Sequence, residues 1–411
     1  MFTSRTFKIN KICEYLLNAK VKRCYPKHIL SNRSVHDVID VDINGVKLIF
    51  PNVWLRDNCQ CEQCFHVTAK SRIIDYNNFN VDTKPVKVTK NSNSLQVTWD
   101  DGHKSKYGFN WLKLRSFSPK YQKKYNDDIY RSPKIVWHGK DFYEICKKHD
   151  YKDIVSSDEA LHKWLNDTSV YGVSVIEKTP NSETAIDEIV KTVGFTKRTH
   201  YGEKFVVQNV TNTSNVAYLS SSLQIHTDLP YYEYCPGVNM LHFLVQTKGE
   251  GGENILSDGH YTAKYIKDNF PEDFKLLTNV QVEWSDVGEE AGNKFYKLYR
   301  APIIEIDSND EINRINFSIP QRGSHFPGSI EDVVPWYKAL KLFFNLNKKF
   351  AAKFKTPEGN ILVFDNIRLL HGRNKYEDSE NNVRKLIGAY IDWDEIYSRL
   401  RCVKVKLNLI D

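Results

Sequence analysis

Two side chains in the second half of the sequence have the types and the spacing of metal ligands. His226 and Asp228 are separated by one residue, and this is the only His-x-Asp or His-x-Glu sequence in the chain. Alternate side chains of an extended strand share one face, so the imidazole and the carboxylate would point the same way. Together they supply two of the three ligands of the 2-His-1-carboxylate triad, which holds ferrous iron in oxygenases. A polar turn at a strand end is the alternative interpretation.

The third ligand has to come from another part of the chain. The best candidate is His371, which follows the apolar run Ile361-Leu362-Val363-Phe364. Three ligands on one face of an iron ion leave the other face free for dioxygen and a bidentate 2-oxo acid. The far carboxylate of such an acid needs a cation, and Arg384, 13 residues beyond His371, is suited to that pairing. Tyr390 lies on the same strand face as Arg384 by period-two counting.

A second metal site is indicated by Cys59, Cys61 and Cys64. Three thiolates within six residues cannot face one cation from regular structure, so they must lie on a tight loop. Tetrahedral zinc then needs a fourth ligand. His103, in the turn after the strand Leu95–Trp99, is the obvious donor, although His66 lies closer in sequence. A closed set of four ligands predicts a structural zinc ion; three buried thiols without a metal are the alternative.

Composition limits the class of protein. The 411 residues are 41% hydrophobic and 27% charged, which is typical of a soluble globular protein of two domains. No run of eighteen apolar residues exists, so no membrane span is expected. The net charge of +7 is spread along the chain without a basic cluster, so no nucleic-acid partner is predicted. Gly-x-Ser-x-Gly, His-Glu-x-x-His and P-loop sequences are absent, which argues against a hydrolase.

Residues 1–34 form a basic N-terminal segment in which Glu14 is the only acid. Serine, threonine and apolar residues lie between its basic side chains without a continuous apolar core. This pattern excludes a secretory signal and resembles a mitochondrial transit peptide. The alternative is the frayed basic N-terminus of a cytosolic enzyme. The eight scattered or clustered cysteines favour a reducing compartment over a disulfide framework.

The pattern of elements predicts a mainly β protein with flanking helices. A hairpin is expected from Val38 to Phe50, around the turn Asn44-Gly45. Residues 131–155 look like a connection, and a long helix is predicted from Glu331 to about Phe354. Many short strands with few helices favour a two-sheet jelly roll. Its strands are predicted at 171–176, 205–210, 237–246, 255–256, 314–317, 361–364 and 383–391.

Several of these motifs together resemble the gamma-butyrobetaine dioxygenase and trimethyllysine hydroxylase family. They are Trp54 to Cys64 with His103, His226-Thr227-Asp228, Asp365-Asn366 through His371-Gly372-Arg373, and Ala389-Tyr390-Ile391-Asp392-Trp393. The resemblance implies a zinc-binding domain over residues 35–135 and a double-stranded β-helix oxygenase domain over residues 150–403. It also implies homodimers, zinc on His103 rather than His66, and ascorbate as reductant.

The same resemblance implies the iron ligands and the cosubstrate site. Fe(II) would be held by His226, Asp228 and His371, and 2-oxoglutarate by Arg384. Asn254 stands near the cosubstrate where Ser or Thr is typical. Ser318 stands where a substrate-side Asn is expected, which affects the identity of the substrate more than the class of reaction.

A trimethylammonium substrate is expected, because the family's aromatic cage falls on four aromatic residues. A quaternary ammonium has no N–H to donate, so aromatic faces must select it. Asn215 would contact the other polar end of the substrate. Ordinary core packing is the alternative for each of the four, and Phe205 replaces a usual Trp. The cage residues are Tyr201, Phe205, Tyr218 and Tyr390.

The sequence thus favours an enzyme that hydroxylates gamma-butyrobetaine to L-carnitine. Arg314 to Phe317, Ala389 to Asp394 and Ser398 to Arg401 look closer to the butyrobetaine enzyme. The basic N-terminus instead favours the mitochondrial enzyme that converts trimethyllysine to 3-hydroxy-trimethyllysine. A non-catalytic, metal-binding jelly-roll protein is the alternative of another class.

Overall fold

A computed structural model of the protein describes residues 37–208, 220–290, 292–379 and 382–410. The chain divides after Gln122 into two compact units. The basic segment 1–34 lies outside the described residues, and so do Asn215 and Tyr218. Within the described residues, no helix is both long enough and apolar enough to cross a bilayer.

The first unit is built from small antiparallel sheets. The predicted hairpin is confirmed, with strands β1 (Val38–Ile43) and β2 (Val46–Pro51) joined by Asn44 and Gly45 at φ of 56° and 79°. Asn-Gly suits this turn because both residues tolerate positive φ. The other elements are β3 (Phe65–His66), β4 (Ser71–Arg72), β5 (Pro85–Lys90), β6 (Ser94–Trp99), β7 (Lys104–Gly108), α1 (Asn52–Asp57) and α2 (Phe109–Leu114). Helix α3 (Pro119–Tyr125) contains the boundary between the two units.

The second unit contains the two sheets of a jelly roll. Its larger sheet has six strands in the order β10-β21-β12-β19-β9-β8, and its smaller sheet has the order β11-β20-β13-β18. The larger sheet consists of β8 (Lys147–Asp150), β9 (Val173–Glu177), β10 (Lys204–Gln208), β12 (Val238–Val245), β19 (Ile361–Asp365) and β21 (Lys385–Ile391). The smaller sheet consists of β11 (Leu223–His226), β13 (Asn254–Asp258), β18 (Ala352–Phe354) and β20 (Leu369–Arg373).

Side chains along β12 point alternately to the two faces of the larger sheet, one packed against helices and one lining a cavity. Val238, Met240 and Leu244 belong to a core that the sheet shares with helices on its outer face. Asn239 and Leu241 lie on the opposite face and line a cavity. The helices against the outer face are α5 (Tyr151–Ser156), α6 (Asp158–Tyr171), α7 (Ala185–Val193) and α11 (Trp393–Lys406).

Two sequence predictions were wrong in detail. The long helix, α10 (Ile330–Phe350), ends earlier than predicted, and Ala352–Phe354 form β18 instead. Spacing alone misassigned them, because Phe350 and Phe354 also have helical spacing. The supposed connection 131–155 contains α4 (Phe142–Ile145), β8 and α5; strand β8 was missed because Lys147–Asp150 is polar and lies at the sheet edge.

The remaining elements were not predicted from the sequence, apart from the strand Ile312–Ile315, which overlaps the strand predicted at 314–317. Helices α8 (Gly259–Asn269) and α9 (Pro271–Asn279) pack against α10 in a second apolar core. Long strands β14 (Val282–Glu290) and β15 (Asn293–Ala301) form a two-stranded sheet, as do the shorter β16 (Ile304–Ile306) and β17 (Ile312–Ile315).

Candidate active site

The two jelly-roll sheets enclose a cavity of about 400 Å³. Strands β11 and β20 of the smaller sheet contribute His226 and His371, and strands β12 and β21 of the larger sheet contribute Asn239 and Tyr390. The cavity is within the size range of small-molecule sites. Both sheets therefore present polar side chains to the same cavity.

His226, Asp228 and His371 lie together at this cavity. Strand β11 pairs antiparallel with β20 so that His226 is the direct partner of His371. The Asp228 Oδ1 atom lies 3.2 Å from His226 Nε2 and 3.5 Å from His371 Nε2. Neighbouring ligands of an octahedral ion, each about 2.1 Å from the metal, lie about 3 Å apart. The three side chains therefore fit one face of an iron site.

The two imidazoles are prepared for ligation in different ways. The Nδ1 atom of His226 lies 2.8 Å from the Gln224 carbonyl oxygen, so Nδ1–H donates there and leaves the Nε2 lone pair free. Burial and the adjacent His226 lower the pKa of His371 to about 4, which keeps that ring neutral. Neutral imidazole is the form that binds a metal ion.

The carboxylate of Asp228 is held by two donors from the larger sheet. Its Oδ2 atom accepts from Asn239 Nδ2 at 2.7 Å and from the Tyr390 hydroxyl at 2.9 Å. Asn239 and Tyr390 are direct cross-strand partners of β12 and β21, which explains why both reach the same oxygen. Burial alone would raise the pKa of Asp228, but the two imidazoles and the Tyr390 hydroxyl lower it to about 2. The side chain is thus a carboxylate at neutral pH.

The backbone of Asp228 is held separately by the side chain of Asn366, which lies in the turn between β19 and β20. The Asp228 N–H donates to Asn366 Oδ1 at 2.7 Å, and Asn366 Nδ2 donates to the Asp228 carbonyl at 3.0 Å. A further bond runs from Asn366 Nδ2 to the Pro236 carbonyl at 3.0 Å. Because β20 carries His371, this turn links the segments that bear two of the three candidate ligands.

Two guanidinium groups line the same cavity. Arg384 is 5% exposed and Arg373 is 4% exposed. Burial, and then the nearby Arg373, lower the pKa of Arg384, and its Nε–H has no hydrogen-bond partner among the described residues. Asp228 is the only acidic residue among the described residues of the cavity wall. The cavity is therefore suited to an anionic ligand at Arg384, since burying a charged group without a partner is costly.

Asn254 and Ser318 also line the cavity. Asn254 is the cross-strand partner of Arg373, and its amide donates to Thr356 Oγ1 at 2.8 Å. Ser318 is buried and follows Phe317, whose backbone N–H donates to Thr227 Oγ1 at 3.0 Å. Asn254 and Ser318 thus both lie at the cavity wall, Asn254 next to a guanidinium and Ser318 next to the segment after β11 that contains Asp228.

Three of the four predicted cage residues form an aromatic wall, by which we mean Tyr201, Phe205 and Tyr390. The rings of Phe205 and Tyr390 are stacked with centroids 5.0 Å apart, and those of Tyr201 and Phe205 are 6.1 Å apart. Each of the three also packs against the second apolar core. Core packing and contact with a ligand are therefore compatible at these positions.

The cysteine cluster of the first unit is compact. The Sγ atoms of Cys59, Cys61 and Cys64 lie 3.3, 3.5 and 3.6 Å from His103 Nε2. Sulfur and nitrogen ligands of tetrahedral zinc lie about 3.5 Å apart, given metal–ligand distances of about 2.3 and 2.0 Å. His66 is exposed in β3 and does not belong to this group. The four side chains fit one zinc ion.

Comparisons with known proteins agree with this arrangement. Residues 139–390 match the family described as taurine catabolism dioxygenase TauD, TfdA family, and residues 37–113 match the gamma-butyrobetaine hydroxylase-like N-terminal family. Gamma-butyrobetaine dioxygenase from Homo sapiens is 33% identical over 364 residues, which are 88% of this chain and 92% of the human protein. The chain belongs to the gamma-butyrobetaine dioxygenase family.

Trimethyllysine dioxygenases are also relatives of this dioxygenase. The protein from the yeast Meyerozyma guilliermondii is 26% identical over 381 residues, covering 90% of this chain and 94% of its own length. The mitochondrial trimethyllysine dioxygenase of Homo sapiens is 25% identical over 363 residues, covering 86% and 82%. The protein is therefore a 2-oxoglutarate-dependent dioxygenase of the TauD type that acts on a small molecule with dioxygen. The alternative of a non-catalytic jelly-roll protein is wrong.

Sequence reasoning about this dioxygenase missed the residues that hold Asp228. Asn239 lies 11 residues beyond Asp228 and Asn366 lies 138 residues beyond it. Neither belongs to a spacing that points to a metal site. Asn366 occurs in a motif that carried the family resemblance, which was the one available signal. Arg373 occurs in the same motif, yet only the structure shows its guanidinium at the cavity.

Proposed function

We propose that this dioxygenase hydroxylates gamma-butyrobetaine to give L-carnitine. The observation that carries the proposal is the cavity itself, which has an aromatic wall, two buried guanidinium groups and a single acidic residue among its described lining. An aromatic wall suits a trimethylammonium group, and the guanidinium groups suit carboxylates. The 33% identity to human gamma-butyrobetaine dioxygenase points to the same substrate.

Fe(II) is proposed to be held by His226, Asp228 and His371, whose donor atoms lie within 4.8 Å of one another. Bound there, the ion would supply dioxygen activation with 2-oxoglutarate as cosubstrate and ascorbate as reductant. The protein's own contribution is to keep His371 neutral and Asp228 ionised, and to hold His226 Nδ1–H on the Gln224 carbonyl oxygen so that Nε2 faces the metal position. These protonation states follow from the burial and hydrogen bonds described above.

2-Oxoglutarate is proposed to pair its far carboxylate with Arg384, whose buried Nε–H has no acceptor among the described residues. A bidentate, charge-assisted pair would satisfy this group. Arg373 adds a second positive charge to the cavity wall, and Asn254 is its cross-strand partner. The dianionic cosubstrate would thus supply the partner that Arg384 Nε–H lacks among the described residues.

The trimethylammonium group is proposed to lie against the aromatic wall of Tyr201, Phe205 and Tyr390. Each aromatic face contributes roughly 0.5–2 kcal/mol, depending on how completely the cation is desolvated. Two contacts remain predictions, because both residues lie outside the described residues: Tyr218 as a fourth residue of the aromatic wall, and Asn215 at the other polar end of the substrate.

Trimethyllysine is the second candidate, and one chemical difference favours gamma-butyrobetaine. Trimethyllysine carries an α-ammonium group in addition to its trimethylammonium group and carboxylate. A buried ammonium requires an anionic or hydrogen-bond-accepting partner. Asp228 is the only acid on the described cavity wall, and both of its oxygens are already used. The described wall offers an α-ammonium group neutral acceptors such as Ser318 and Gln321 but no free carboxylate, which favours a substrate without that group.

The reaction can be tested in one incubation with Fe(II), 2-oxoglutarate, ascorbate and a mixture of candidate amines, analysed by mass spectrometry for added oxygen. We expect gamma-butyrobetaine to gain one oxygen atom in step with succinate formation. A sharper comparison pairs it with the neutral tert-butyl isostere, which keeps the shape and removes the charge. Equal kcat/KM for the two compounds would mean that no aromatic wall reads the charge.

Residues 35–135, which extend beyond the end of the first unit at Gln122, are proposed to form a zinc-binding domain, followed by an oxygenase domain over residues 150–403. The closed set of Cys59, Cys61, Cys64 and His103 leaves no coordination position open, so the ion would be structural. Metal analysis of purified protein should find one zinc per chain. Cys61→Ser should lower the zinc content and the melting temperature, because metal binding contributes directly to folding. Protein that contains iron alone would contradict this assignment.

A mitochondrial location and a homodimeric state complete the proposal. The basic composition of residues 1–34 and the mitochondrial relative among the trimethyllysine dioxygenases support the location. Fusing residues 1–34 to a fluorescent protein should direct it to mitochondria, and a cytoplasmic signal would favour the alternative. Light scattering of the full chain should give twice the monomer mass of 47.9 kDa.

A further inference from the structure

We propose that Tyr390 is a positioning residue for the carboxylate of Asp228, in addition to forming part of the aromatic wall. The inference rests on the proposed function, because it assumes that Asp228 is an iron ligand. It assigns separate tasks to the two ends of one side chain. The ring would face the substrate cation, and the hydroxyl would fix the direction of a metal-binding carboxylate.

The two oxygens of Asp228 have different surroundings. Oδ1 faces both imidazoles, at 3.2 Å from His226 and 3.5 Å from His371. Oδ2 points the other way and accepts from Asn239 at 2.7 Å and from the Tyr390 hydroxyl at 2.9 Å. Two donors on one oxygen fix the rotation of the carboxylate about its last bond. This leaves Oδ1 directed at the place where both Nε2 atoms converge.

The hydroxyl of Tyr390 is itself held in place by the packing of its ring. The side chain is 3% exposed, and its ring stacks on Phe205 at 5.0 Å with an interplanar angle of 29°. Its backbone belongs to β21 of the larger sheet, where Tyr390 pairs with Asn239 of β12. A buried phenol in one orientation can donate in one direction only, which suits a positioning role better than a mobile donor would.

Removing a donor to a metal-binding carboxylate characteristically weakens metal binding by about 10- to 100-fold. Tyr390→Phe deletes the hydroxyl and keeps the ring, so it separates the two proposed tasks. Tyr151→Phe is a matched control, because Tyr151 is also buried in the second unit and also donates to a carboxylate, that of Glu188. Tyr151 belongs to the core on the outer face of the larger sheet and does not line the cavity.

The first measurement is a calorimetric titration of iron-free protein with Mn(II), with the zinc site kept intact. We expect Tyr390→Phe to bind Mn(II) about tenfold more weakly than the wild type, and Tyr151→Phe to bind it within twofold of the wild type. Misfolded protein would lower the stoichiometry rather than the affinity, so a folding defect is recognised separately. Equal Mn(II) affinity for the two variants and the wild type would overturn the inference.

The second measurement is the ratio of succinate formed to substrate hydroxylated, together with the KM for gamma-butyrobetaine. For Tyr390→Phe we expect the ratio to rise above the wild-type value and the KM to stay within about twofold, because the ring remains. A raised KM with unchanged Mn(II) affinity and ratio would assign the hydroxyl to the substrate alone and overturn the inference. If the wild type hydroxylates no trimethylammonium compound, the proposed substrate is wrong, while the Mn(II) titration still tests the positioning role.

Discussion

His226 and His371 are direct partners in the antiparallel pairing of β11 with β20, and their ring centroids lie 4.2 Å apart. The close approach of these strands depends on Gly372. A Cβ atom on Gly372 would lie 2.7 Å from the Leu223 carbonyl oxygen and 3.1 Å from the Ile225 nitrogen. Both contacts are with backbone, which cannot move aside as a flexible side chain would.

Gly372→Ala should therefore push β11 away from β20 and separate the two imidazoles. We expect the Mn(II) affinity of the iron-free protein to fall by at least about tenfold, in the range that displaced ligand geometry produces. Gly108→Ala is the control, because a Cβ atom there meets nothing within 4 Å. Unchanged metal affinity in Gly372→Ala would mean that the strand pairing does not set the distance between the imidazoles.

Asn366→Ala should destabilise the protein as well as the metal site. The change leaves the Asp228 N–H and the Pro236 carbonyl without their partner, and leaves the Asp228 carbonyl with only the weak thiol donor of Cys235. Each buried group without a partner costs about 1–3 kcal/mol, so we expect the free energy of unfolding to fall by roughly 3 kcal/mol or more. Urea denaturation measures this loss. Asn181→Ala, which removes a single bond from an exposed Asn to the Leu244 carbonyl, should cost far less.

Arg384→Met should act on the cosubstrate and spare the substrate. The change removes the buried cation proposed to bind the far carboxylate of 2-oxoglutarate. Hydrogen bonds to charged groups contribute about 1.5–3 kcal/mol each, so we expect the KM for 2-oxoglutarate to rise on the order of 100-fold. Initial rates at varied 2-oxoglutarate check this. Arg300→Met, at a guanidinium half exposed and paired with Glu283, is the control and should leave this KM unchanged. A similar rise in both variants would refute a specific role for Arg384.

The residue types of the site could be predicted from the sequence, whereas the contacts that organise it could not. The His-x-Asp sequence, followed by His371 and Arg384, predicts an iron site that binds a 2-oxo acid, because the types and order of these residues can be recognised in the sequence. The register that places His226 opposite His371, or Asn239 opposite Tyr390, leaves no such signal. It is set by which strands pair across long stretches of chain.

The same distinction holds for the fold. Asn44-Gly45 predicts its hairpin because the turn conformation is a local property. Strand β8 pairs in parallel with β9, and its polar residues carry no alternation that would indicate a strand. Residues Lys147–Asp150 form a strand because they pair with β9, not because of their own sequence pattern. Features set by neighbouring residues, such as the Asn44-Gly45 turn, can therefore be predicted from this sequence, whereas pairing between distant segments cannot.

The aromatic wall can be disturbed from behind, without changing any residue that would contact the substrate. Gly388 is the cross-strand partner of Phe205, and the Phe205 ring lies over it. A Cβ atom at Gly388 would lie 2.1 Å from that ring, so Gly388→Ala must displace the ring, while the strand backbone itself accepts alanine.

If Phe205 contacts the trimethylammonium group, Gly388→Ala should raise the KM for gamma-butyrobetaine about 2- to 30-fold, which corresponds to the loss of one cation–π contact of roughly 0.5–2 kcal/mol. The KM for 2-oxoglutarate should change little, because Arg384, the proposed partner of its far carboxylate, is not part of the aromatic wall. The tert-butyl isostere distinguishes charge from shape. If the Phe205 ring binds the positive charge, its displacement should reduce kcat/KM for the charged substrate more than for the neutral one. An equal reduction for both compounds would show that Phe205 contributes shape alone.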